Sequence, residues 1–109
     1  NNLVIWNTKK KHIIKPHLHQ KRMTKILSTT EVILILKGEL RVDFYSPKKK
    51  YLFSKVLKKN DIIMLVNGGH GFKVLKNIEM LEIKQGPYSI SKDKVKFENI
   101  NENKIKIKK

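Results

Sequence analysis

The fold is decided by residues 31–45, which read EVILILKGELRVDFY. Val32 to Leu36 is apolar at every position and predicts a central strand covered on both faces. Leu40 to Tyr45 alternates apolar and polar side chains, so its apolar residues would share one face of a strand. Gly38 lies between the two parts, and we expect Lys37-Gly38-Glu39 to be a turn.

The rest of the chain repeats this arrangement of short apolar runs separated by turn signals. No stretch has a sustained helical period. Many short strands with turn signals between them predict an all-β sandwich or barrel. Further turns are expected at 28–30, 46–48, 59–61, 67–69, 76–77 and 85–87.

The chain has 109 residues, which fits one domain. There are no cysteines, and this excludes disulfide frameworks, zinc fingers and thiol catalysis. No purely apolar run is longer than Val32 to Leu36, which is far too short to cross a bilayer. We therefore expect a cytoplasmic protein without a membrane partner.

The formal charge of +16 comes from 25 basic and 9 acidic residues, which could indicate a nucleic-acid partner. However, 23 of the basic residues are Lys and 2 are Arg, whereas Arg supplies the fork that reads phosphates and guanines. The abundance of Lys, Asn and Ile is typical of an AT-rich genome. We interpret the charge as a solvated surface and expect no sequence-specific nucleic-acid binding.

Two of the four histidines lie two residues apart. His17 and His19 belong to or follow the run Ile13 to Leu18, which we expect to be a strand. On a strand both imidazoles would leave the same face, at a spacing that suits two bonds to one metal ion. His12 has the opposite parity and would point away.

Two other places carry candidate ligands. Glu31 opens a long apolar strand, where a carboxylate is costly unless it is paired or coordinated. Later, the run Asn60 to Phe72 predicts a strand, a glycine turn and a second strand that begins at His70. The glycines permit a tight turn that would aim His70 inward.

These residues resemble the two motifs of the cupin superfamily. The first motif has His-x-His, then Glu, then Gly seven residues after the Glu, and the second has an acidic turn, an apolar strand, a glycine turn and a histidine. Eleven residues separate His19 from Glu31, where the family usually has three or four, so the chain must accommodate an extra turn or bulge. The resemblance covers residues 12–84, and the matching residues are His17, His19, Glu31 and Gly38, then Asp61, Gly68 and His70.

The resemblance implies a double-stranded β-helix, that is, a jelly-roll barrel, over residues 1–98. Residues 99–109 would form a polar, lysine-rich C-terminal tail or an edge strand. The resemblance also implies one divalent transition metal (Zn, Ni, Mn or Fe) as cofactor. Three imidazoles and one carboxylate suit such ions better than Ca or Mg. The metal ligands would be His17, His19, Glu31 and His70.

The run Met80 to Tyr88 is similar to small stand-alone cupins that accompany bacterial surface-polysaccharide genes. Glu82 and Tyr88 are the candidate catalytic residues, because a carboxylate and a phenol could move a proton near the metal. Glu82 and Lys84 would enter the barrel if Leu81 and Ile83 pack outward. The residues themselves slightly favour the opposite orientation, with Leu81 and Ile83 inward.

The function expected from these features is a metal-binding cupin that acts on a small polar metabolite. The first hypothesis is an isomerase or epimerase of a sugar or nucleotide sugar in surface-polysaccharide metabolism, for which an anionic sugar would suit the positive charge. The second is a non-enzymatic carbohydrate-binding or regulatory cupin, and the third a metal-dependent dioxygenase. Whether the chain is an enzyme stays open. We expect a homodimer, because edge strands near both termini would leave backbone groups to be paired.

Overall fold

The computed structural model describes residues 4–25, 27–85 and 94–109, and its regular structure is all-β. One 3₁₀ turn, Glu102–Lys104, follows the strands. No helix in the described residues is long and apolar enough to cross a membrane. The four strands are β1 (Glu31–Tyr45), β2 (Tyr51–Leu57), β3 (Ile62–Leu65) and β4 (Gly69–Lys84).

The strands form one antiparallel sheet in which β1 is central. β4 pairs with β1 along its whole length, from Glu31 opposite Lys84 to Tyr45 opposite Gly69. β3 pairs with the first residues of β1, and β2 pairs with the last ones. β4 therefore takes one edge of β1, while β2 and β3 share the other edge. The prediction of an all-β chain with a central strand at Val32 to Leu36 is confirmed, although Leu36 itself is exposed.

The turn predicted at Gly38 is instead a bend inside a continuous strand. The ladder between β1 and β4 shifts register three times between Ile35 and Leu40. Gly38 has a φ of +90°, and a Cβ atom there would lie 2.0 Å from the backbone oxygen of Asn77. Only glycine fits this position. The turn predicted at Lys76-Asn77 was also wrong, because these residues lie in β4 opposite the same bend.

The bend also moves the core face of β1 from odd to even positions. Ile33 and Ile35 are fully buried before it, and Leu40 and Val42 are fully buried after it. A strand without register shifts would place these two pairs on opposite faces. The bulged bend lets both pairs pack in one cluster. That cluster also contains Leu57 and Leu65, with Phe44, Ile63, Ile78 and Met80 packed against it.

The second face of β1 is covered from Arg41 to Tyr45 by residues 94–109, the C-terminal strap. Its aromatic contact joins Phe97 to Tyr45, whose ring centroids are 5.0 Å apart. The Ile100 backbone N–H donates to the Tyr45 hydroxyl at 3.0 Å. Further along, Ile107 forms a parallel bridge with Ser54, at the outer edge of β2. The strap thus crosses the outer face of the sheet from Tyr45 to β2.

The N-terminal arm, residues 4–25, contains no strand and every residue of it is exposed. The strand predicted at Ile13 to Leu18 was wrong. The hydrogen bonds found in the arm are local, such as the one from the His12 backbone N–H to the Lys9 carbonyl at 3.2 Å. Apolar side chains of the arm remain in solvent, including Leu18, which is 94% exposed.

Candidate functional site

Glu31, His70 and Lys84 form a cluster at the open end of the bent sheet, here called the Glu31 cluster. Glu31 begins β1, and Lys84 ends β4 directly opposite Glu31 in the ladder. His70 begins β4 and pairs with Phe44, at the far end of β1. The bend at Gly38 folds the sheet so that these distant ends meet.

Each oxygen of the Glu31 carboxylate faces a different nitrogen. Oε2 lies 3.3 Å from His70 Nε2, and Oε1 lies 3.5 Å from Lys84 Nζ. The side chains of Glu31 and Lys84 are 10% and 14% exposed, whereas that of His70 is 28% exposed. The carboxylate is therefore held inside the protein by two nitrogen groups, of which the imidazole reaches furthest towards solvent.

His70 is positioned by the glycine turn before it, as the sequence predicted. Gly68 has a φ of +83°, and a Cβ atom there would lie 2.6 Å from the Tyr45 backbone oxygen. A Cβ atom on Gly69 would lie 2.8 Å from the Phe97 ring. The turn therefore packs closely between β1 and the C-terminal strap, which fixes where His70 starts the strand.

The Glu31 cluster lies in a cleft of about 530 Å³. This volume falls in the range of small-molecule sites, which combine apolar walls with a few polar groups. The walls come from the sheet, the glycine turn and the C-terminal strap. Aromatic and aliphatic lining residues are Tyr45, Val66, Phe72, Val95 and Phe97, and ionisable ones are Glu31, His70, Lys84, Lys94 and Lys96.

His17 and His19 lie on the exposed arm, with ring centroids 5.3 Å apart. His17 Nδ1 is 2.8 Å from the Lys15 carbonyl. Because a carbonyl can only accept, this nitrogen carries the proton and leaves the Nε2 lone pair available to a metal ion. The described residues contain no group of three or more His, Cys, Asp or Glu side chains placed to hold a metal. The four predicted ligands thus occur as two pairs, Glu31 with His70 and His17 with His19.

Of the candidate catalytic residues, Glu82 is exposed, and Tyr88 lies outside the described residues. Glu82 pairs with Ile33 and so shares the face of β4 that carries Lys84, while Leu81 and Ile83 are on the other face and exposed. The orientation that places Lys84 inward is therefore the one observed. The sequence analysis did not assign Lys84 a role; its position two residues from Glu82 was the available signal.

The C-terminal strap is fixed to the sheet by an ionic network that the sequence analysis did not find. Arg41 is buried and binds Asp43 through Nε at 2.8 Å and Glu102 through Nη1 at 2.7 Å. Lys73 Nζ lies 2.7 Å from the other Glu102 oxygen. These two cations lower the pKa of Glu102 from 4.5 to about 2, the Arg41 hydrogen bond having the largest effect. The hydrogen bonds to Asp43, first, and to Glu102, second, raise the pKa of Arg41.

The buried polar groups around Arg41 all find partners within the described residues. The Ser54 hydroxyl donates to Asp43 Oδ1 and is itself 2.7 Å from the Tyr51 hydroxyl. The Ser54 backbone N–H donates to the Lys106 carbonyl at 2.8 Å. The network therefore holds the end of the strap in place, and with it the wall that Lys94 to Phe97 contributes to the cleft.

Compared with known proteins, the chain matches no family model, no curated protein and no solved structure.

Proposed function

We propose that the chain is a metal-binding cupin of jelly-roll type that acts on a small polar metabolite in the cleft at the Glu31 cluster. The observation that carries the proposal is the 3.3 Å separation between His70 Nε2 and Glu31 Oε2 inside that cleft. Two atoms that share one metal ion at bond lengths of about 2.0–2.2 Å are roughly 2.8–3.6 Å apart in octahedral or tetrahedral geometry. The two side chains thus have the spacing of neighbouring ligands.

The remaining two ligands would be His17 and His19, brought by docking of the N-terminal arm on the sheet. Exposed apolar side chains on both the arm and β4 support this docking. The arm exposes Ile13 and Leu18, and the core-facing side of β4 exposes Phe72 and Val74 at 38% and 50%. Covering these surfaces is favourable by about 25 cal/mol for each Å² removed from water. Docking would close the sheet towards a barrel and complete a site of three imidazoles and one carboxylate.

For the reaction, an isomerase or epimerase of a sugar or nucleotide sugar is the first candidate. A bound divalent metal would polarise a carbonyl of the substrate. The cleft walls would hold the sugar ring against Phe72 and Phe97, and Glu82 or Tyr88 would move the proton, as the sequence analysis proposed. Lys84 helps to orient the Glu31 carboxylate, because its Nζ atom faces Oε1 at 3.5 Å.

The test is a metal titration of the purified protein and of three single-histidine variants. We expect about one Zn, Ni, Mn or Fe ion per chain, measured by elemental analysis after dialysis. His70→Ala and His19→Ala should weaken the affinity at least about tenfold, which is 1.4 kcal/mol. His12→Ala is the matched control, because His12 is also exposed on the arm and lies outside the proposed set. Equal binding by His70→Ala and His12→Ala would reject the site.

A non-enzymatic carbohydrate-binding cupin is the second candidate, favoured by the aromatic wall of Tyr45, Phe72 and Phe97 in the cleft. Aromatic faces bind sugar rings without any need for catalytic groups. NMR spectra of a bound sugar distinguish the two functions. A sugar whose spectrum stays unchanged for hours on the metal-loaded protein supports the binding module, and oxygen consumption with 2-oxo acids or aromatic diols would instead indicate the dioxygenase.

A homodimer remains part of the proposal. In the described part of the chain, β4 pairs with β1 on one edge and with no strand on the other, although it is 16 residues long. Such an edge offers a row of backbone donors and acceptors to another strand. Light scattering at high micromolar concentration should give twice the chain mass, and a monomer mass there would contradict the prediction.

A further inference from the structure

The charged groups of the cleft are unbalanced. Among the described residues that line it, Glu31 is the single carboxylate, whereas Lys84, Lys94 and Lys96 contribute three ammonium groups. Glu31 is already matched, because its oxygens face His70 and Lys84. The ammonium groups of Lys94 and Lys96 are therefore in excess at the mouth of the cleft.

The three lysines come from two parts of the fold. Lys84 is 14% exposed and comes from the end of β4, so it lies in the floor of the cleft. Lys94 and Lys96 come from the C-terminal strap, which is anchored just beyond them by Phe97 on Tyr45. The lysines thus face the cleft from two directions.

We propose that the cleft binds its ligand through an anionic group, a phosphate or a carboxylate, held between Lys84 in the floor and Lys94 and Lys96 in the strap. The inference rests on the proposed function in naming this cleft as the ligand site, and it adds the class of ligand and the residues that select it. Hydrogen bonds between ammonium groups and anionic oxygens are roughly twice as strong as neutral ones. The apolar part of the ligand would then face Phe72 and Phe97.

The general positive charge of the protein does not explain such a site. A net charge of +16 raises the concentration of every anion near the surface, and salt screens that effect within about 10 Å. A built site differs in two ways. It prefers anionic to neutral forms of one ligand skeleton at physiological salt, and it depends on three particular lysines rather than on the total charge.

The experiment compares glucose, glucuronate and glucose 1-phosphate by calorimetry at 0.15 M salt. It is run on chelator-treated protein, so that metal binding plays no part. We expect at least one anionic sugar to bind roughly tenfold or more tighter than glucose, in line with the strength of charge-assisted hydrogen bonds. The tighter of the two identifies phosphate or carboxylate as the group. Glucose binding as tightly as both anions would overturn the proposal.

Variants separate the site from the net charge. The double variant Lys94→Met/Lys96→Met should lose most of the preference for the anion. The control Lys58→Met/Lys59→Met removes the same charge from the exposed turn between β2 and β3 and should change affinity less than about twofold, because its charges are screened. Equal losses in the two double variants would overturn the proposal. Lys84→Met should weaken anion binding as well; as this residue is largely buried, circular dichroism checks that the variant folds.

The same measurements distinguish failure of this inference from failure of the proposed function. If the protein takes up no metal but prefers the anionic sugar, the metal site is rejected and the anion site is supported. If it takes up one metal per chain but binds the three sugars equally, the anion site is rejected and the metal site is supported.

Discussion

The two terminal segments of the chain differ in how they meet the sheet. The N-terminal arm and the C-terminal strap are both rich in lysine, and neither contains a regular strand. Both segments are mostly polar and have similar shares of large apolar residues, yet every residue of the arm is exposed. The strap, in contrast, is anchored by Phe97, Ile100 and Glu102.

The difference shows that apolar content alone does not dock a segment here. The strap is held by partners of fixed geometry, namely a buried guanidinium, a tyrosine hydroxyl and the backbone of Ser54. The described residues give the arm no comparable polar partner. What the arm does carry is a pair of imidazoles, and in our proposal a metal ion is the partner that completes its docking.

The largest expected effect is on the free energy of unfolding. It is tested with the two arginines of the chain, Arg41, which binds the strap, and Arg22, which lies on the arm. Arg41→Met should lower the free energy of unfolding by about 3–5 kcal/mol, since removal of one partner leaves the buried Asp43 carboxylate without its cation. Arg22→Met, on the exposed arm, should change it by less than about 0.5 kcal/mol. Urea unfolding at pH 7 measures both. Similar values for the two variants would mean that the strap network does not stabilise the sheet.

The second effect is stabilisation by metal, which tests whether a bound metal ion fixes the arm to the sheet. At a free metal concentration of 100 times Kd, the free energy of unfolding should rise by about 2.7 kcal/mol. Hydrogen–deuterium exchange of residues 12–25 should slow at the same time. His19→Ala should abolish both changes, whereas His12→Ala should keep them. Stabilisation without protection of the arm would show that metal binds elsewhere.

The third effect is the release of the strap from the sheet as the pH falls. The folded protein holds the pKa of Glu102 at about 2, below its ordinary value of 4.5. The stabilisation from Glu102 is therefore complete above about pH 4.5 and is lost as the pH falls towards 2. NMR of the Ile100 amide, which donates to Tyr45, should report release of the strap in this window.

A variant checks the assignment of that transition. Glu102→Gln removes the charge at every pH, so the Ile100 signal should already be shifted at pH 7 and should change little on acidification. The contrary result, an unchanged transition in Glu102→Gln, would assign the acid response to another group.

Much of the fold could be predicted from the strand patterns, because they depend on local alternation. The turns at 46–48, 59–61 and 67–69 were placed correctly. The two misplaced turns, at Gly38 and at Lys76-Asn77, have one cause. Both stretches have the composition of turns, but they lie opposite each other and bend one long ladder. A single sequence does not show that two turn signals are paired.

The site could be predicted only in part, for a similar reason. Glu31 and His70 carry residue types and spacings that indicate ligands, and the structure brings them together. Arg41 and Asp43 alternate with core residues and therefore look like a solvated face. In the structure these two side chains are covered by the C-terminal strap. Glu102 of the strap lies 61 residues after Arg41, and the alternation of residues along a strand cannot indicate a contact at that separation.

Because the sheet bends at Gly38, a small rotation there produces a larger displacement at the end of β1. Gly38 lies seven positions after Glu31, which is about 23 Å at a rise of roughly 3.3 Å per residue. At that radius, each degree of rotation at the bend moves the Glu31 end by about 0.4 Å, close to the roughly 0.5 Å within which a binding constellation must be held. The angle set by one glycine against the Asn77 carbonyl therefore controls the spacing of Glu31 and His70. A change of angle at Gly38 would therefore change the width of the cleft.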